Sequence, residues 1–157
     1  MKKNLLFIFV VSIAVLMSSC GGDSAMRVNK VLVEKSETVA EFMSKAMDYF
    51  ADDEYESALE CLDIVTNYVD KSTPIVARLQ NKSAEKWQQA TLEYLAIYKA
   101  GAADYKQAIE WFQADENFEE ASMLVINFIL KASSKLEEMQ EIQAEFAKAN
   151  NIELTKR

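Results

Sequence analysis

Histidine is absent from this chain of 157 residues. Its absence excludes Ser-His-Asp and Cys-His catalysis, the common zinc sites, and the helical di-iron motif that requires Glu-x-x-His. No pair of carboxylates stands out from the general charge of the chain as a candidate for acid–base chemistry. The sequence therefore predicts no catalytic residue, no metal site and no cofactor, and we expect that the protein is not an enzyme.

Glycine and proline are also scarce, with three glycines and one proline in the whole chain. Gly21 and Gly22 stand near the start, which leaves only Gly101 and Pro74 for the residues that follow. A β-sandwich or β-barrel has many turns, and those turns usually contain glycine, proline or Asn-Gly pairs. Hydrophobic residues make up 50% of the chain, which is enough for a buried core. The composition therefore predicts an all-α fold.

Positive charge is in the minority, because 17 Lys and Arg residues stand against 25 Asp and Glu residues, for a net charge of −8. Phosphate backbones repel an acidic chain, so we expect no nucleic-acid partner. Anionic lipid surfaces repel it for the same reason. Any attachment to a membrane therefore requires something other than a basic patch.

A short apolar segment lies at the start of the sequence. Lys2 and Lys3 precede an apolar run over residues 5–17 that is interrupted only by Ser12. A membrane-spanning helix needs about 20 apolar residues, so this run is too short to cross a bilayer. A charged start, a short apolar run and small residues at its end are typical of a secretory signal peptide.

The end of that segment, Met17-Ser18-Ser19-Cys20, resembles the lipobox of bacterial lipoproteins. The resemblance implies cleavage before Cys20, a diacylglycerol on its thiol and an acyl chain on its amine. The Ser-Ser-Cys-Gly-Gly ending is also similar to that of lipoproteins from the Bacteroidetes. Residues 1–19 are then the signal peptide, residues 20–28 the lipidated cysteine and a tether, and residues 29–157 a helical bundle domain.

The same resemblance implies a location in the cell envelope, because two or more acyl chains hold a protein stably at a bilayer. Gly21, rather than aspartate, follows the cysteine. By analogy with the lipoproteins of enteric bacteria, this favours the outer membrane, with the domain facing the periplasm. Exposure on the cell surface stays open as an alternative.

Helical periodicity is clearest in the middle of the chain. Apolar residues from Val76 to Phe112 recur with a mean spacing of about 3.6 residues, the period of an α-helix. The pattern passes through Gly101 without a phase change. Proline suits a first helical turn, so Pro74 predicts the start of one long helix over 74–113.

A further helix is predicted over 117–149. Asn117 and Glu120 form a capping-box pattern at its start, and apolar residues recur about every 3.5 residues as far as Phe146. Three more apolar residues lie opposite this stripe, where they either contact a second neighbouring helix or form an exposed docking face: Met123, Ile126 and Leu130.

The first part of the chain carries two apolar stripes, over residues 39–50 and 55–69, that are rotated by about 120° from each other. One straight helix cannot turn both stripes to the same core, so we predict a break or kink near residues 51–54. With turns at 71–73 and 114–116, the sequence predicts an elongated up-down bundle of three long helical arms. The rival arrangement is four or five shorter helices stacked in pairs.

Two side chains that lie off the centre of an apolar stripe require an interpretation. Trp111 lies about 90° from the stripe of its helix, which makes it a candidate for a partner surface. Cys61 lies at the flank of an apolar stripe and has no partner for a disulfide once Cys20 is lipidated, so we interpret it as a small core residue. The acidic residues 52–56 lack the spacing of a calcium-binding loop.

These observations favour a lipid-anchored, non-catalytic protein-interaction or structural module whose protein partner is unknown. A first alternative is a lipoprotein that binds a small ligand or nutrient between its helices, which requires a cavity of about 300 Å³ or more. A second is a helical scaffold similar to tetratricopeptide repeats, which Tyr55-x-x-Ala58, Tyr105-x-x-Ala108 and Phe118-x-x-Ala121 resemble. Their spacing does not match the repeat length of about 34 residues.

Lipidation of Cys20 is directly testable. A clickable fatty-acid probe fed to cells should label the parent protein and should not label the Cys20→Ala variant, because the thiolate is the acceptor of the lipid. Fractionation should place the parent with the membranes and release the variant. Equal labelling of Cys20→Ala and the parent would contradict the lipobox interpretation.

Overall fold

The computed structural model describes residues 12–13 and 22–155, so Cys20 and, apart from residues 12–13, the predicted signal peptide lie outside the described residues. Within that part the fold is all-α, as predicted, apart from one pair of two-residue strands. The four helices are α1 (Gly22–Ala51), α2 (Tyr55–Ala77), α3 (Glu85–Gln113) and α4 (Phe118–Ala149), with a 3₁₀ turn at Lys82–Ala84. The strand pair joins β1 (Ser12–Ile13) to β2 (Leu154–Thr155) in antiparallel register.

The helices run up and down along the bundle, and polar contacts define its two ends. At the lower end, Asn81 Nδ2 lies 3.5 Å from Ser24 Oγ, and Ser83 Oγ lies 3.3 Å from Asn150 Oδ1. The start of α1, the loop before α3 and the end of α4 therefore meet there. The loops at 52–54 and 114–117 lie at the opposite, upper end. Helix α3 packs against each of the other three helices.

The prediction of three arms is wrong in its first arm, because that arm consists of two helices. The predicted break near 51–54 is confirmed: α1 ends at Ala51 and α2 begins at Tyr55. Asp53 between them has a left-handed backbone with φ of 60°, which reverses the chain. Helices α1 and α2 then lie side by side, and the rings of Phe42 and Tyr68 meet edge to face at 5.5 Å.

The predicted helix over 74–113 is wrong, and so is the predicted turn at 71–73. Helix α2 continues through Pro74 to Ala77, because Ser72 and Val76 extend its buried stripe beyond Val69. A proline in the last turn removes only one hydrogen bond of the helix. The hydroxyl of Thr73 also donates to the carbonyl oxygen of Val69 at 2.9 Å.

The loop that separates α2 from α3 has a local cause in its side chains. Asn81 accepts from the backbone N–H of Ser83 at 3.0 Å and so starts the 3₁₀ turn. Gln88 on α3 donates to the carbonyl oxygens of Val76 at 2.7 Å and of Leu79 at 3.3 Å, which satisfies the open end of α2. The apolar residues before and after this loop keep the spacing of one continuous helix, which is why the sequence predicts no interruption between α2 and α3.

The last helix and the first one also differ in detail from their predictions. The turn at 114–116 is confirmed and extends to Asn117, which has a φ of 51° and makes no side-chain cap, so the capping box is wrong. Helix α1 begins at Gly22, within the stretch that the sequence analysis assigns to a tether. Ala25 and Val28 are buried there against the other helices.

Helices α3 and α4 approach each other closely at Gly101. A Cβ atom on this residue would fall on the ring of Phe128, at 2.7 Å from its Cγ. That ring is itself held edge to face by Tyr98 at 5.4 Å and by Tyr105 at 5.8 Å. Helices α2 and α3 are joined by ion pairs between Lys99 and Asp70, and between Lys106 and Asp63.

The Gly101→Ala substitution therefore tests the packing of α3 on α4. Alanine improves helix propensity by about 1 kcal/mol, but overpacking against a held ring is expected to destabilise the protein by about 1–3 kcal/mol. Urea denaturation followed by circular dichroism measures the difference. The double variant Gly101→Ala/Phe128→Leu should recover part of the loss, and a Gly101→Ala protein more stable than the parent would refute the close approach.

Candidate interaction surface

Helix α4 carries a row of exposed apolar side chains, here called the α4 strip: Met123, Ile126 and Leu130. Their side chains are 51%, 48% and 62% exposed. They lie three and four residues apart and so share one face of the helix. The buried residues of α4, among them Phe128 and Met139, lie on the opposite face. The sequence left open whether these three residues contact a second neighbouring helix or form an exposed face, and the structure supports the exposed face.

The strip is exposed because α4 lies at the edge of the bundle and packs mainly against α3. Other large exposed apolar side chains in the described part of the chain are dispersed, such as Ile64 and Ile75 on α2. Scattered apolar residues are normal on a protein surface, whereas a contiguous group marks an interaction site. The grouping on α4 is therefore the informative feature.

Acidic residues lie on the same face at both ends of the strip. By helical spacing, Glu119 lies one turn before Met123, while Glu137 and Glu141 follow Leu130. The first basic residue on this line is Lys148, in the last turn of α4. The surface is therefore an apolar centre between carboxylates.

The side of α4 that faces α3 is different in charge. Lys135 pairs with Glu93 on α3 and with Glu138 at 2.9 Å, and its hydrogen bond lowers the pKa of the Glu93 carboxyl. Lys131 is exposed beside it. Lys131, Lys135 and Glu138 line an open, shallow depression of about 400 Å³ together with Ile97, Ser134 and Leu130 of the α4 strip. The ion pair between Lys135 and Glu93 connects α4 to α3, and the depression borders the α4 strip at Leu130.

The other candidate residues lie apart from the strip. Trp111 is half-buried in the last turn of α3. It therefore belongs to a different helix from Met123 and the rest of the α4 strip. Cys61 is a half-buried free thiol that packs against the core, in agreement with its interpretation as a small core residue. Residues 52–56 form the upper loop and the start of α2.

A narrow groove between α1 and α4 is the candidate place for a ligand. Its volume is about 80 Å³, and it is lined mostly by apolar side chains, including Met43, Met47 and Leu136. Tyr94 and Tyr98 form its floor on α3, and their hydroxyls share a hydrogen bond of 2.8 Å. Burial raises the pKa of both phenols, so they stay protonated at neutral pH.

A buried polar pair links α1 to α4 near the lower end. The Nε2 atom of Gln143 lies 3.5 Å from Oδ1 of Asn29, and both side chains are almost completely buried. The Asn29 amide nitrogen has no hydrogen-bond partner within the described part of the chain. The sequence carries no signal for this pair, because 114 residues separate the two side chains.

Within residues 22–155, no group of three acidic, cysteine or histidine side chains is arranged to hold a metal ion. Among the described helices, none combines the length and the apolar content that a bilayer crossing requires. Comparisons of the chain with models of known protein families, with curated proteins and with solved structures found no match.

Polar substitution in the α4 strip should leave the fold intact. For Leu130→Asn we expect a change in the free energy of unfolding within about 0.5 kcal/mol, because the side chain is mostly in water already. For Phe128→Ala, two residues away on the buried face, we expect a loss of about 3–5 kcal/mol. Urea titration compares the two variants, and a large loss for Leu130→Asn would show that the strip is part of the core.

Proposed function

We propose that this protein is a lipid-anchored protein of the cell envelope and a non-catalytic interaction module that docks a protein partner on the α4 strip. The anchor rests on the resemblance of Met17-Ser18-Ser19-Cys20 to a lipobox, with Cys20 as the lipid attachment site. The resemblance and Gly21 favour the outer membrane and a domain that faces the periplasm, with surface exposure as the alternative.

The observation that carries the docking proposal is the exposed row of Met123, Ile126 and Leu130. Each of these side chains still exposes about half of its surface, so covering it would stabilise a complex by about 1 kcal/mol. Three such residues do not make a whole interface. They form the apolar centre that a protein interface places inside a polar rim.

The carboxylates at both ends of the strip indicate the chemistry of the partner. A partner with apolar side chains between basic residues would complement Glu119 on one side and Glu137 on the other. A second copy of this chain fits poorly. An antiparallel pairing of two α4 helices would bring Glu119 close to Glu137 of the other copy, and a parallel pairing would oppose identical carboxylates.

A small-ligand function is supported less well. The groove between α1 and α4 has about 80 Å³, whereas pockets for small molecules commonly have 300–1,000 Å³. The depression of about 400 Å³ beside Leu130 is shallow and open to solvent, so it does not enclose a ligand between helices. The lengths of the helices also disfavour a scaffold similar to tetratricopeptide repeats. That repeat holds two helices within about 34 residues, whereas the helices here have 23 to 32 residues each.

Site-specific crosslinking tests the docking surface. A photo-reactive amino acid at Ile126 should yield a crosslinked protein in intact envelopes, because this side chain lies at the centre of the proposed interface. The same amino acid at Ile64, which is similarly exposed on α2, is the matched control and should not yield that adduct.

The second part of the crosslinking experiment uses Leu130→Asn, the polar variant that we expect to keep the fold. Leu130→Asn introduced beside the crosslinker at Ile126 should reduce the yield of the adduct by about tenfold, whereas Ile75→Asn should not change it. An adduct of the same size from Ile64 and Ile126, or one insensitive to Leu130→Asn, would overturn the α4 strip as the docking surface.

A further inference from the structure

Basic side chains gather at the lower end of the bundle. Six exposed residues lie within about two helical turns of the contacts that join Ser24, Asn81, Ser83 and Asn150. They belong to three different stretches of the chain: Arg27 and Lys30 on α1, Arg78, Lys82 and Lys86 around the loop before α3, and Lys148 on α4. We call this surface the basic end.

None of these six residues takes part in an ion pair within the described part of the chain. The lysines that do so, at positions 35, 45, 99, 106 and 135, lie further along the helices. Three carboxylates whose side chains the structure describes share the lower end with the basic residues, Glu85, Glu145 and Glu153, and Asp23 directly precedes Ser24 in the sequence. The positive charges are therefore in excess there and are available to an external anion.

The upper end has the opposite charge. Its two loops and the helix turns beside them contain a dense group of carboxylates: Asp48, Asp52, Asp53, Glu54, Glu56, Glu110, Asp115, Glu116, Glu119 and Glu120. Helix α1 has 30 residues and spans about 45 Å between the two ends. At physiological salt the Debye length is about 8 Å, so the acidic end does not cancel the field at the basic end.

The position of Cys20 decides what the basic end faces. Cys20 precedes the first residue of α1 by two positions, and two residues of chain reach at most about 7 Å. If this cysteine carries the lipid, as the proposed function requires, the anchor holds the lower end of the bundle close to the bilayer surface. The acidic upper end then lies on the far side of the domain.

We propose that the basic end contacts anionic phospholipid headgroups of the membrane that holds the anchor, and that this contact keeps the bundle upright. The inference rests on the proposed lipid anchor. An acyl anchor and a basic cluster act together, because each adds to the membrane affinity of the other. The upright position directs the acidic end away from the bilayer, where it repels no lipid.

The proposal departs from the expectation drawn from net charge. A charge of −8 predicts repulsion from anionic lipids only if the charge is spread evenly. Separation of the two signs by the length of a helix permits attraction at one end. Nucleic acid would require the same basic residues, but the short link to Cys20 favours the bilayer as the anion that they meet.

Fluorescence quenching on vesicles tests the orientation. The lipidated protein, purified from membranes with Cys61→Ala, is labelled at Gln80→Cys near the basic end or at Gln113→Cys near the acidic end. It is reconstituted into vesicles of phosphatidylcholine with or without 30% phosphatidylglycerol, together with a lipid that carries a headgroup quencher. On the anionic vesicles at 0.1 M salt, we expect at least threefold stronger quenching at position 80 than at position 113.

Charge variants identify the cause. The double substitution Lys82→Glu/Lys86→Glu should reduce the difference between positions 80 and 113 to the value measured on phosphatidylcholine vesicles, and so should 0.5 M salt. Lys71→Glu/Lys131→Glu is the matched control, because both lysines are exposed, lie further from the lower end and have no ion pair in the described structure. This control should keep the difference.

The mass of the purified protein shows whether Cys20 carries lipid. It therefore distinguishes a failure of the proposed anchor from a failure of this inference alone. A protein without lipid on Cys20 overturns the anchor and this inference together. A lipidated protein whose positions 80 and 113 are quenched equally on anionic vesicles overturns only the inference. Equal quenching patterns for Lys82→Glu/Lys86→Glu and for the parent would also overturn it, because contact would then not depend on the basic end.

Discussion

The close approach of α3 to α4 at Gly101 is the contact on which the arrangement of the other helices depends. Helix α3 is the element that touches α1, α2 and α4, so its distance from each neighbour decides the shape of the bundle. At Gly101 the ring of Phe128 occupies the space of a side chain, and Tyr98 and Tyr105 hold that ring from both sides. A residue with no side chain on one helix is thus matched to a large ring on the other.

The same arrangement produces the proposed docking surface. With α3 in the centre, α4 buries the face that carries Phe128 and Met139 and leaves its opposite face in water. Met123 and Leu130 therefore stay exposed. Because these side chains are mostly in water, they add little to the buried core, and this exposure is the basis of the proposed docking surface.

The up-down course of the helices also separates the charges. Each reversal of the chain returns it to one of two ends, so residues far apart in the sequence, such as Arg27, Lys82 and Lys148, become neighbours at the same end. The loops at the other end are acidic. A bundle anchored through Cys20 would hold one sign of charge at the bilayer and display the other, with the α4 strip along its side.

The predictions from sequence failed where two helices kept the same apolar register. The break near 51–54 was predictable, because the stripes on either side point in different directions, and the turn at 114–116 was predictable from its polar residues. The interruption between Ala77 and Glu85 could not be predicted, because the spacing of apolar residues from Val76 to Trp87 fits a continuous helix. The chain turns there because Asn81 starts the 3₁₀ turn and Gln88 donates to the end of α2.

The amino-acid sequence by itself determined the all-α class, the absence of histidine chemistry and the helical faces of α4, because composition and periodicity are local properties of the chain. The tertiary structure decided that Met123, Ile126 and Leu130 face water and that the basic residues share one end. Both depend on which helices become neighbours, and that is set by packing between residues distant in the chain, such as Gly101 with Phe128 and Asn29 with Gln143.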